Sequence, residues 1–504
     1  MAALLAGSVY FIFLTNLLHS TLEVGIVTAL NIMIWFLVTI CVLAQPIINQ
    51  TPIPAPLAVL KFVPELLARN DRSGAAGVIR ASVILALIIG LTVASVLITL
   101  PSLVIPLLGG SAVLPNFVQL AGLDVVVVSI GQVGLAAVIA LGDTRAATRS
   151  IWIWSITRYA SASILLIPWG INGVLVGWIL GDFSLVFFSL KKSLYENGAA
   201  SAPSNFKQFI TYNAYNLIAA LMGFTITQAD RLFTLTTQGL SHLAVYNIAI
   251  VSSSIASSAP LTLVTVMLPA VASLYASKKM VDLHFFIRSY TRYTSLLVMP
   301  IAFGLAAVIE IPLRIFGPEY VSGAVPAVIT SIASGLTALS AVYASALLAL
   351  GKLRWYTVAN LAGLIGLVVV TAILTPILGL NGPALGRTCL MMIATVIYGF
   401  ATLRAGVYEC DWRAYVASIA CSTVMAIAVF GVLSLFQTFN TKIAALPLLI
   451  FLGAGTYLIS IRACRLLSRN DVDFIRNLTP RRFHQYLPII AKLAGVKYVL
   501  NEQI

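Results

Sequence analysis

The sequence predicts an all-α protein that crosses a membrane many times, and three features of its composition and pattern support this prediction. Of its 504 residues, 60% are hydrophobic and only 9% are charged, whereas about 25% of a soluble globular chain is charged. Its mean hydropathy is +1.01. Apolar runs of about 20 residues recur along the chain, and each is long enough to cross a hydrocarbon core. These features exclude a cytosolic enzyme, a secreted disulfide scaffold and a disordered tail protein.

Fourteen candidate spans result when the apolar sequence is divided at charged stretches and at stretches rich in Pro, Gly or Asn. Each span is close to the length that a helix rising 1.5 Å per residue needs to cross a core about 30 Å thick. The predicted spans are residues 1–19, 26–48, 79–101, 116–141, 150–168, 172–190, 209–230, 243–271, 290–311, 325–349, 355–376, 383–403, 414–436 and 443–461.

The cations predict the orientation of these helices. All but five of the 30 Lys and Arg residues fall in loops on one side, counted with the adjoining helix ends. The hairpins at 102–115, 168–172 and 377–382 carry no charge. Since cytoplasmic loops are rich in Lys and Arg, both termini are predicted to be cytoplasmic in a cell membrane. The net charge of +14 therefore reflects topology and does not indicate nucleic-acid binding. The five exceptions are Arg158, Arg231, Arg314, Arg387 and Lys442.

Parts of the chain repeat at a nearly constant offset. Ala140-Leu-Gly-Asp-Thr-Arg145 matches Ala349-Leu-Gly-Lys-Leu-Arg354 at four of six positions, 209 residues apart, and the same offset carries Gly170-Ile-Asn-Gly173 onto Gly379-Leu-Asn-Gly382. Further pairs at offsets of 208 or 209 are Gly177 with Gly386, Arg80 with Arg288, and Gly109 with Gly317. An ordered set of this length indicates an internal duplication.

The duplication predicts two pseudo-symmetric six-helix bundles that share one orientation. The predicted domains are an N-terminal bundle (1–190), a cytoplasmic linker (191–205), a C-terminal bundle (206–404), two additional transmembrane helices (405–461) and a basic amphipathic cytoplasmic tail (462–504). The tail is expected to lie on the anionic inner leaflet or to be solvated. The first helix starts about fifteen residues later than its repeat counterpart, so it is naturally short or its start is clipped.

Five motifs, in this order, carry a resemblance to a known family. They are Asp230-Arg231, Leu243-Ala-Val-Tyr-Asn-Ile-Ala249, Ile315-Phe-Gly-Pro-Glu-Tyr320, Leu350-Gly-Lys352 and Pro376-Ile-Leu-Gly-Leu-Asn-Gly-Pro-Ala384. With the two six-helix halves and the two added helices, they resemble the polysaccharide transporter, or lipid-linked oligosaccharide flippase, family. That family belongs to the multidrug/oligosaccharidyl-lipid/polysaccharide exporter superfamily. The resemblance covers residues 1–460, with the short first helix as its one departure.

The resemblance implies two bundles arranged in a V around a central, cationic cavity. It implies a flippase, not an enzyme, that moves a polyprenyl- or dolichyl-(pyro)phosphate-linked oligosaccharide from the inner to the outer leaflet by alternating access. Such transport serves cell-surface polysaccharide or glycoprotein synthesis, with polysaccharide polymerase or glycosyltransferase machinery as partners. A polar cleft fits this task because a sugar-phosphate head group cannot cross hydrocarbon unaided.

Two other functions stay open. A cation-coupled small-molecule (multidrug) antiporter of the same superfamily is the nearest alternative, and twelve helices usually suffice for it. A membrane-embedded glycosyltransferase is a remote one, because every predicted outer loop has about twenty residues or fewer. Neither the five Cys nor the four His residues show metal-ligand spacing. The sequence therefore predicts no cofactor, and coupling to H⁺ or Na⁺ is undecided.

Two ionisable residues are predicted at one depth in the membrane. Arg158 and Asp182 lie on adjacent antiparallel helices, each twelve residues from Gly170. At 1.5 Å per residue, that places both about 18 Å from the outer turn, near the middle of the bilayer. Ionisable residues at this depth are candidates for function. Either they form an ion pair that locks the hairpin, or they line the cavity and engage a phosphate, or both.

Other polar residues extend the candidate substrate cavity. Arg387 lies about one turn inside its helix, so it is a cation at the outer mouth or a residue that snorkels to the surface. Asp124 has no evident sequence partner and suits a cavity or protonatable role. Weaker candidates are the neighbours Asp230 and Arg231 near the outer interface and, for recruiting a head group at the cytoplasmic side, Arg80, Arg288 and Arg292. Three tryptophans, Trp152, Trp154 and Trp178, are expected to be interfacial or lipid-facing.

Overall fold

The structure is a computed structural model that describes residues 2–18, 20–44, 58–195 and 206–466. Within these ranges the α-helices are joined by turns and short 3₁₀ segments, so the all-α prediction is confirmed. The helices are α1 (Ala2–Leu18), α2 (Thr21–Cys41), α3 (Ala58–Ala68), α4 (Arg72–Thr99), α5 (Pro115–Ala140), α6 (Thr144–Tyr195), α7 (Phe206–Gln238), α8 (Leu240–Ala276), α9 (Met280–Val308), α10 (Glu310–Phe316), α11 (Ala324–Leu336), α12 (Leu339–Ala349), α13 (Leu353–Leu378), α14 (Asn381–Arg404), α15 (Trp412–Leu433), α16 (Phe439–Ala444) and α17 (Leu446–Ala463).

Ten of the helices in the described part of the chain are long and apolar enough to cross a membrane. The segment Pro318–Leu336 and α12 would add an eleventh span, bent by 49° at the break between them. The chain is therefore a multi-pass membrane protein, as its composition predicts. The number fourteen remains a prediction. Most of the predicted tail, from residue 467 on, and linker residues 196–205 lie outside the described residues.

Two predicted spans, 150–168 and 172–190, lie in the single long element α6. Its backbone is not helical at Gly170, where φ is 56° and ψ is −136°. Gly379 at the end of α13 has nearly the same backbone, with φ 57° and ψ −131°. A positive φ of this kind is cheap only for glycine, so both glycines act as hinges of helical hairpins. The two hinges are 209 residues apart, which is the repeat offset in the sequence.

Close helix contacts recur at the same offset. A Cβ added at Gly177 would overlap the backbone of Ala162, and one at Gly386 would overlap the side chain of Thr371. Both glycines let the arms of a hairpin approach closely. The local geometry of the two hairpins is therefore repeated, whereas the symmetry of whole bundles remains a prediction.

Several helices extend past the predicted spans. Helix α4 starts at Arg72, seven residues before the predicted span, because the Asp71 side chain accepts a hydrogen bond from the Gly74 amide at 2.8 Å and caps it. Such a cap is a frequent helix start. The predicted span ends near the charges, but a helix can continue beyond the hydrocarbon into the aqueous layer. Helix α3 was not predicted, since its eleven residues are too few to span.

The described helices pack into two compact units. The first comprises Met1–Ile248 with Ile315–Tyr320, and the second comprises Ala249–Arg314 with Val321–Ile504. In the first unit, α5 packs against α4 and α6, and α2 contacts α7. In the second unit, α13 packs against α14, and α9 contacts α11 and α15. These units differ from the sequence halves because α7 packs with the first unit, and the predicted domain boundaries rest on the repeat alone.

Of the two helices predicted as an addition, α15 packs against α9 in the second unit and α17 packs against α15. The Tyr457 hydroxyl on α17 donates to the Leu296 carbonyl on α9 at 2.8 Å. Arg292 on α9 pairs with Asp411, whose other carboxylate oxygen caps α15 by accepting from the Ala414 amide at 3.0 Å. Polar contacts therefore attach both added helices to α9.

Candidate functional site

Three ionisable side chains meet inside the first unit. The Arg158 guanidinium donates through Nη1 to Oδ2 of Asp182 and lies with Nη2 3.6 Å from Oδ2 of Asp124. Arg158 is 2% exposed, and both aspartates are completely buried. We call Asp124, Arg158 and Asp182 the charge cluster. The predicted pair of Arg158 and Asp182 is present, and α5 supplies a second carboxyl group that the sequence did not connect to it.

The hairpin of α6 explains why the pair forms. Because Arg158 and Asp182 are equally distant from the hinge at Gly170, folding the two arms together brings them to the same level. Gly181, next to Asp182, lies against the backbone of Arg158, and a Cβ there would overlap it. Ser161 adds a hydrogen bond from its hydroxyl to the Gly177 carbonyl at 2.8 Å. Small residues on one arm thus let the arms come close enough for a direct ion pair.

Aromatic rings enclose the guanidinium. The centroids of Trp178, Trp154 and Trp35 lie 4.9, 5.7 and 5.9 Å from the central guanidinium carbon of Arg158. Trp154 also donates its indole N–H to Oδ1 of Asp182. Cation–π contacts of this kind stabilise a guanidinium more strongly where water is excluded. Trp35 is carried by α2, so the surroundings of Arg158 extend beyond the α6 hairpin.

The prediction that Trp154 and Trp178 face the interface or the lipid is wrong, because they are only 1% and 2% exposed. Hydropathy cannot distinguish an indole at the membrane surface from one beside a buried charge. The signal that could have found them is their spacing, since each lies four residues before a member of the charge pair and so on the same helix face. Trp152 is 49% exposed, as predicted.

Asp124 is the member of the cluster with the fewest partners. Neither of its carboxylate oxygens has a hydrogen bond within the described part of the chain, and the cation close to it is the more distant arm of Arg158. The cluster contains two carboxyl groups and one guanidinium, so full ionisation of all three leaves one negative charge buried. An uncompensated charge of this kind is costly in a protein interior. A lock between two helices requires only one carboxylate, so the cavity or protonatable role of Asp124 remains a prediction.

The other candidates of the first unit lie apart from this cluster. Asp230 on α7 is completely buried and accepts a hydrogen bond from the Tyr246 hydroxyl at 2.8 Å. Arg231 donates to the side-chain oxygen of Gln228 at 2.8 Å. Arg80 is exposed on α4. Their cavity and recruitment roles remain predictions.

In the second unit, the candidate cations have different surroundings. Arg387 on α14 is half-buried, and Arg288 on α9 is exposed. Arg292 pairs with Asp411 at 3.0 Å and donates its second terminal nitrogen to the Leu466 carbonyl. Its contacts thus serve the attachment of the added helices. Among the residues that the structure describes, no three His, Cys, Asp or Glu side chains come together as a metal-binding group.

Solved structures share this fold. No protein-family profile matches the chain, and no curated protein is similar to it in sequence. The lipid II flippase MurJ in an inward closed conformation matches with a TM-score of 0.71 and 13% identity, over 94% of this chain and 97% of that one. An inward-facing multidrug resistance MATE family transporter of the MOP superfamily matches with a TM-score of 0.65 and 14% identity, over 81% and 95%. A MOP superfamily transporter from Pyrococcus furiosus matches with a TM-score of 0.55 and 14% identity, over 80% and 95%.

These matches define the class of fold to which the chain belongs. The matches to a flippase structure and to a multidrug transporter structure each extend over most of this chain. The chain therefore has the fold of the multidrug/oligosaccharidyl-lipid/polysaccharide exporter superfamily. The fold to which the sequence motifs point is thereby confirmed. At 13–14% identity the likeness extends to the fold alone.

Proposed function

We propose that this protein is a flippase, without enzymatic activity, for a polyprenyl- or dolichyl-(pyro)phosphate-linked oligosaccharide. It moves its substrate from the inner to the outer leaflet of the cell membrane by alternating access and works beside polysaccharide polymerase or glycosyltransferase machinery. The observation that carries this proposal is the charge cluster, which places a guanidinium and a surplus carboxyl group inside a fold shared with the lipid II flippase MurJ.

The chemistry of the cluster supports a role in transport. A charge kept in a membrane protein interior at a large desolvation cost is a functional candidate by default. Arg158 has a second nitrogen without a hydrogen-bond partner among the described residues, directed toward Asp124. The guanidinium therefore has two carboxylate neighbours at different distances. A change of helix packing that brought Asp124 closer to Arg158 and moved Asp182 away would alter the charge that the cluster presents to a phosphate head group.

A cation-coupled small-molecule antiporter is the second candidate. The MATE transporters have the same fold, so the fold supports both candidates equally. The specific observation in favour of the antiporter is the surplus carboxyl group of Asp124, since uptake of one cation or proton would balance the charge cluster. The MurJ match covers 94% of this chain against 81% for the MATE match, which is why we put the flippase first.

Depletion of the protein separates the two candidates. If it is a flippase, lipid-linked sugar accumulates in the cytoplasmic leaflet, where an impermeant glycan-oxidising reagent added outside cells does not reach it. If it is an antiporter, the glycan distribution is unchanged and sensitivity to cationic drugs rises. An unchanged glycan distribution would therefore contradict the flippase proposal.

A charge-free variant tests whether the cluster itself takes part in transport. Replacing all three members, as Asp124→Asn, Arg158→Met and Asp182→Leu, removes the three charges of the cluster together, and such replacement of buried ion pairs is often neutral or stabilising. We expect this variant to be abundant and folded but to have lost transport. If this variant transported its substrate at the full rate, the cluster would have only a structural role, and its proposed part in transport would be wrong. The matched control is Leu367→Met, at the position that corresponds to Arg158 in the repeat, which is also completely buried.

A further inference from the structure

The first turns of α6 carry an exposed face with positive charge. Thr144, Arg145, Thr148, Arg149 and Trp152 line an open groove of about 460 Å³. All five side chains are exposed, whereas the intervening Ala146, Ala147 and Ser150 are buried against the rest of the unit. The groove thus lies on the exposed surface of the first unit, on the face of α6 opposite to the one that packs against the core.

The two arginines of this groove have no acidic partner among the residues that the structure describes. The nearest carboxylate in sequence, Asp143, directs Oδ1 to the Ala146 amide at 2.8 Å and so caps the helix. By contrast, the buried Arg158 farther along α6 has two carboxylate neighbours. Two unpaired guanidinium groups one helical turn apart offer a bidentate site for phosphate oxygens.

An apolar stripe continues from the arginines along the same face of α6. Trp152, Ile156, Ile164 and Ile167 are 49%, 57%, 66% and 74% exposed. Their spacing from Arg149 keeps them on one side of the helix at 100° per residue. The face therefore presents cations, then an interfacial indole, and then aliphatic side chains, which is the order of a phosphate, a glycerol backbone and acyl chains in a lipid.

Helix α13 is the repeat counterpart of the first arm of α6, and it shows that membrane topology alone does not require two arginines and a tryptophan at these positions. At the repeat offset, Arg354 corresponds to Arg145, but Val358 and Leu361 stand where α6 has Arg149 and Trp152. The apolar part is repeated, because Ile365 and Ile373 stand where α6 has Ile156 and Ile164 and are 58% and 60% exposed. The start of α13 satisfies the positive-inside rule with Lys352 and Arg354, without a cation or an indole at the two later positions. The second arginine and the tryptophan are thus additions specific to α6.

We propose that this face of α6 binds an anionic phospholipid of the bilayer itself. Arg145 and Arg149 hold its phosphate, Trp152 lies beside the glycerol region, and an acyl chain runs along Ile156, which lies on the cytoplasmic side of Arg158 and so within the same leaflet. The lipid belongs to the leaflet that the charge distribution predicts to be cytoplasmic. The site is independent of the proposed transport function, since it uses none of the residues of the charge cluster.

Native mass spectrometry of the full-length protein with phosphatidylglycerol tests the site. The double variant Arg145→Ala/Arg149→Ala should weaken phosphatidylglycerol binding by about fivefold for each arginine removed. Arg149→Lys, which keeps the charge, should lose much less, and Arg354→Ala on α13 is the matched control that should change nothing. Phosphatidylcholine should bind wild type and variants equally and weakly. Unchanged binding by the double variant, or an equal loss with Arg354→Ala, would overturn the proposal.

Two more measurements place the ligand and identify its source. Phosphatidylglycerol with brominated acyl chains should quench the fluorescence of wild type more than that of Trp152→Phe, because bromine near the stripe quenches that indole. Equal quenching would contradict the placement of the acyl chain. If decaprenyl phosphate displaces phosphatidylglycerol at equal mole fraction, the groove serves the carrier of the transported sugar, and our assignment to a bilayer lipid is wrong.

Discussion

Two kinds of contact stabilise the Arg158 guanidinium, and they respond differently to substitution. The carboxylates of Asp182 and Asp124 compensate its charge, whereas the three indoles exclude water and add cation–π attraction. Removing the cation leaves two buried carboxyl groups facing each other, but removing the surplus carboxyl group leaves an ion pair that is balanced. The three members of the cluster are therefore unequal in their effect on stability.

Single substitutions in the cluster should reveal this inequality. Arg158→Ala should lower the free energy of unfolding by about 3–5 kcal/mol, because it breaks a buried ion pair and leaves its partner uncompensated. Asp124→Asn keeps the size of the side chain and removes the surplus charge, so we expect a change within about 1 kcal/mol. Thermal unfolding of the purified protein in one detergent measures both. A larger loss for Asp124→Asn than for Arg158→Ala would contradict this account of the cluster.

The thiol of Cys410, in the loop between α14 and α15, gives a pH-dependent prediction outside the spans. Burial raises the pKa of Cys410 above its ordinary value, and the nearby Arg288 lowers it in part. Because the thiolate is the nucleophile, a raised pKa means less thiolate at neutral pH. N-ethylmaleimide should therefore modify Cys410 slowly near pH 7, and the rate should keep rising to a higher pH than for an ordinary thiol.

The control for this prediction is Arg288→Ala. Without the cation, the pKa of Cys410 should rise further, so alkylation at a given pH should slow again. Peptide mass spectrometry after a timed reaction gives the rate at Cys410 separately from the other four cysteines. A rate that is flat above neutral pH, or that increases in Arg288→Ala, would be inconsistent with a buried thiol beside that arginine.

At the scale of the element, the α6 hairpin depends on missing side chains. Gly181 lies against the backbone of Arg158 and Gly177 against that of Ala162, so the arms touch where no Cβ intervenes. This contact makes the ion pair direct. The hinge at Gly170 has open space around it but a φ of 56°, so its need for glycine is conformational and not steric.

Alanine at these glycines should separate the two effects. Gly181→Ala forces a methyl group into the backbone of the opposite arm and should cost about 1–3 kcal/mol or more of unfolding free energy. The matched control is Gly455→Ala in α17, where a Cβ meets nothing within 4 Å, so alanine should be neutral or stabilise by up to about 1 kcal/mol. Unfolding midpoints measure both. Equal effects at the two positions would refute the close contact between the arms.

The elements also show what the sequence can predict. Equal spacing from Gly170 is a local relation, so the pairing of Arg158 with Asp182 could be predicted from the chain alone. Asp124 lies on another helix, and its height and rotation relative to α6 depend on packing that no sequence spacing encodes. The same limit hid the indole of Trp35 on α2. Contacts within one hairpin were predictable, and contacts between packed helices were not.

At the scale of the whole molecule, two of the cations on the predicted outer side lie close to the same carboxylate. Arg314 and Lys442 lie 3.4 and 2.9 Å from the two carboxylate oxygens of Glu310. Arg158, a third exception, is paired within the charge cluster. Since the positive-inside rule counts cations that favour the cytoplasmic side, these paired residues oppose the predicted orientation less than their number suggests. The charge distribution therefore supports two cytoplasmic termini.

Cysteine labelling in intact cells tests that orientation directly. Ser434, after α15, lies on the predicted outer side, and Ser277, between α8 and α9, lies on the predicted cytoplasmic side, and both are exposed. In a background without the five native cysteines, an impermeant maleimide should modify Ser434→Cys in intact cells, while Ser277→Cys should react only after permeabilisation. The reverse pattern would mean that the chain is inverted. The α6 groove would then lie in the outer leaflet. A flippase that moves its substrate from the inner to the outer leaflet would then have to take up that substrate at the end of the bundle opposite to the groove.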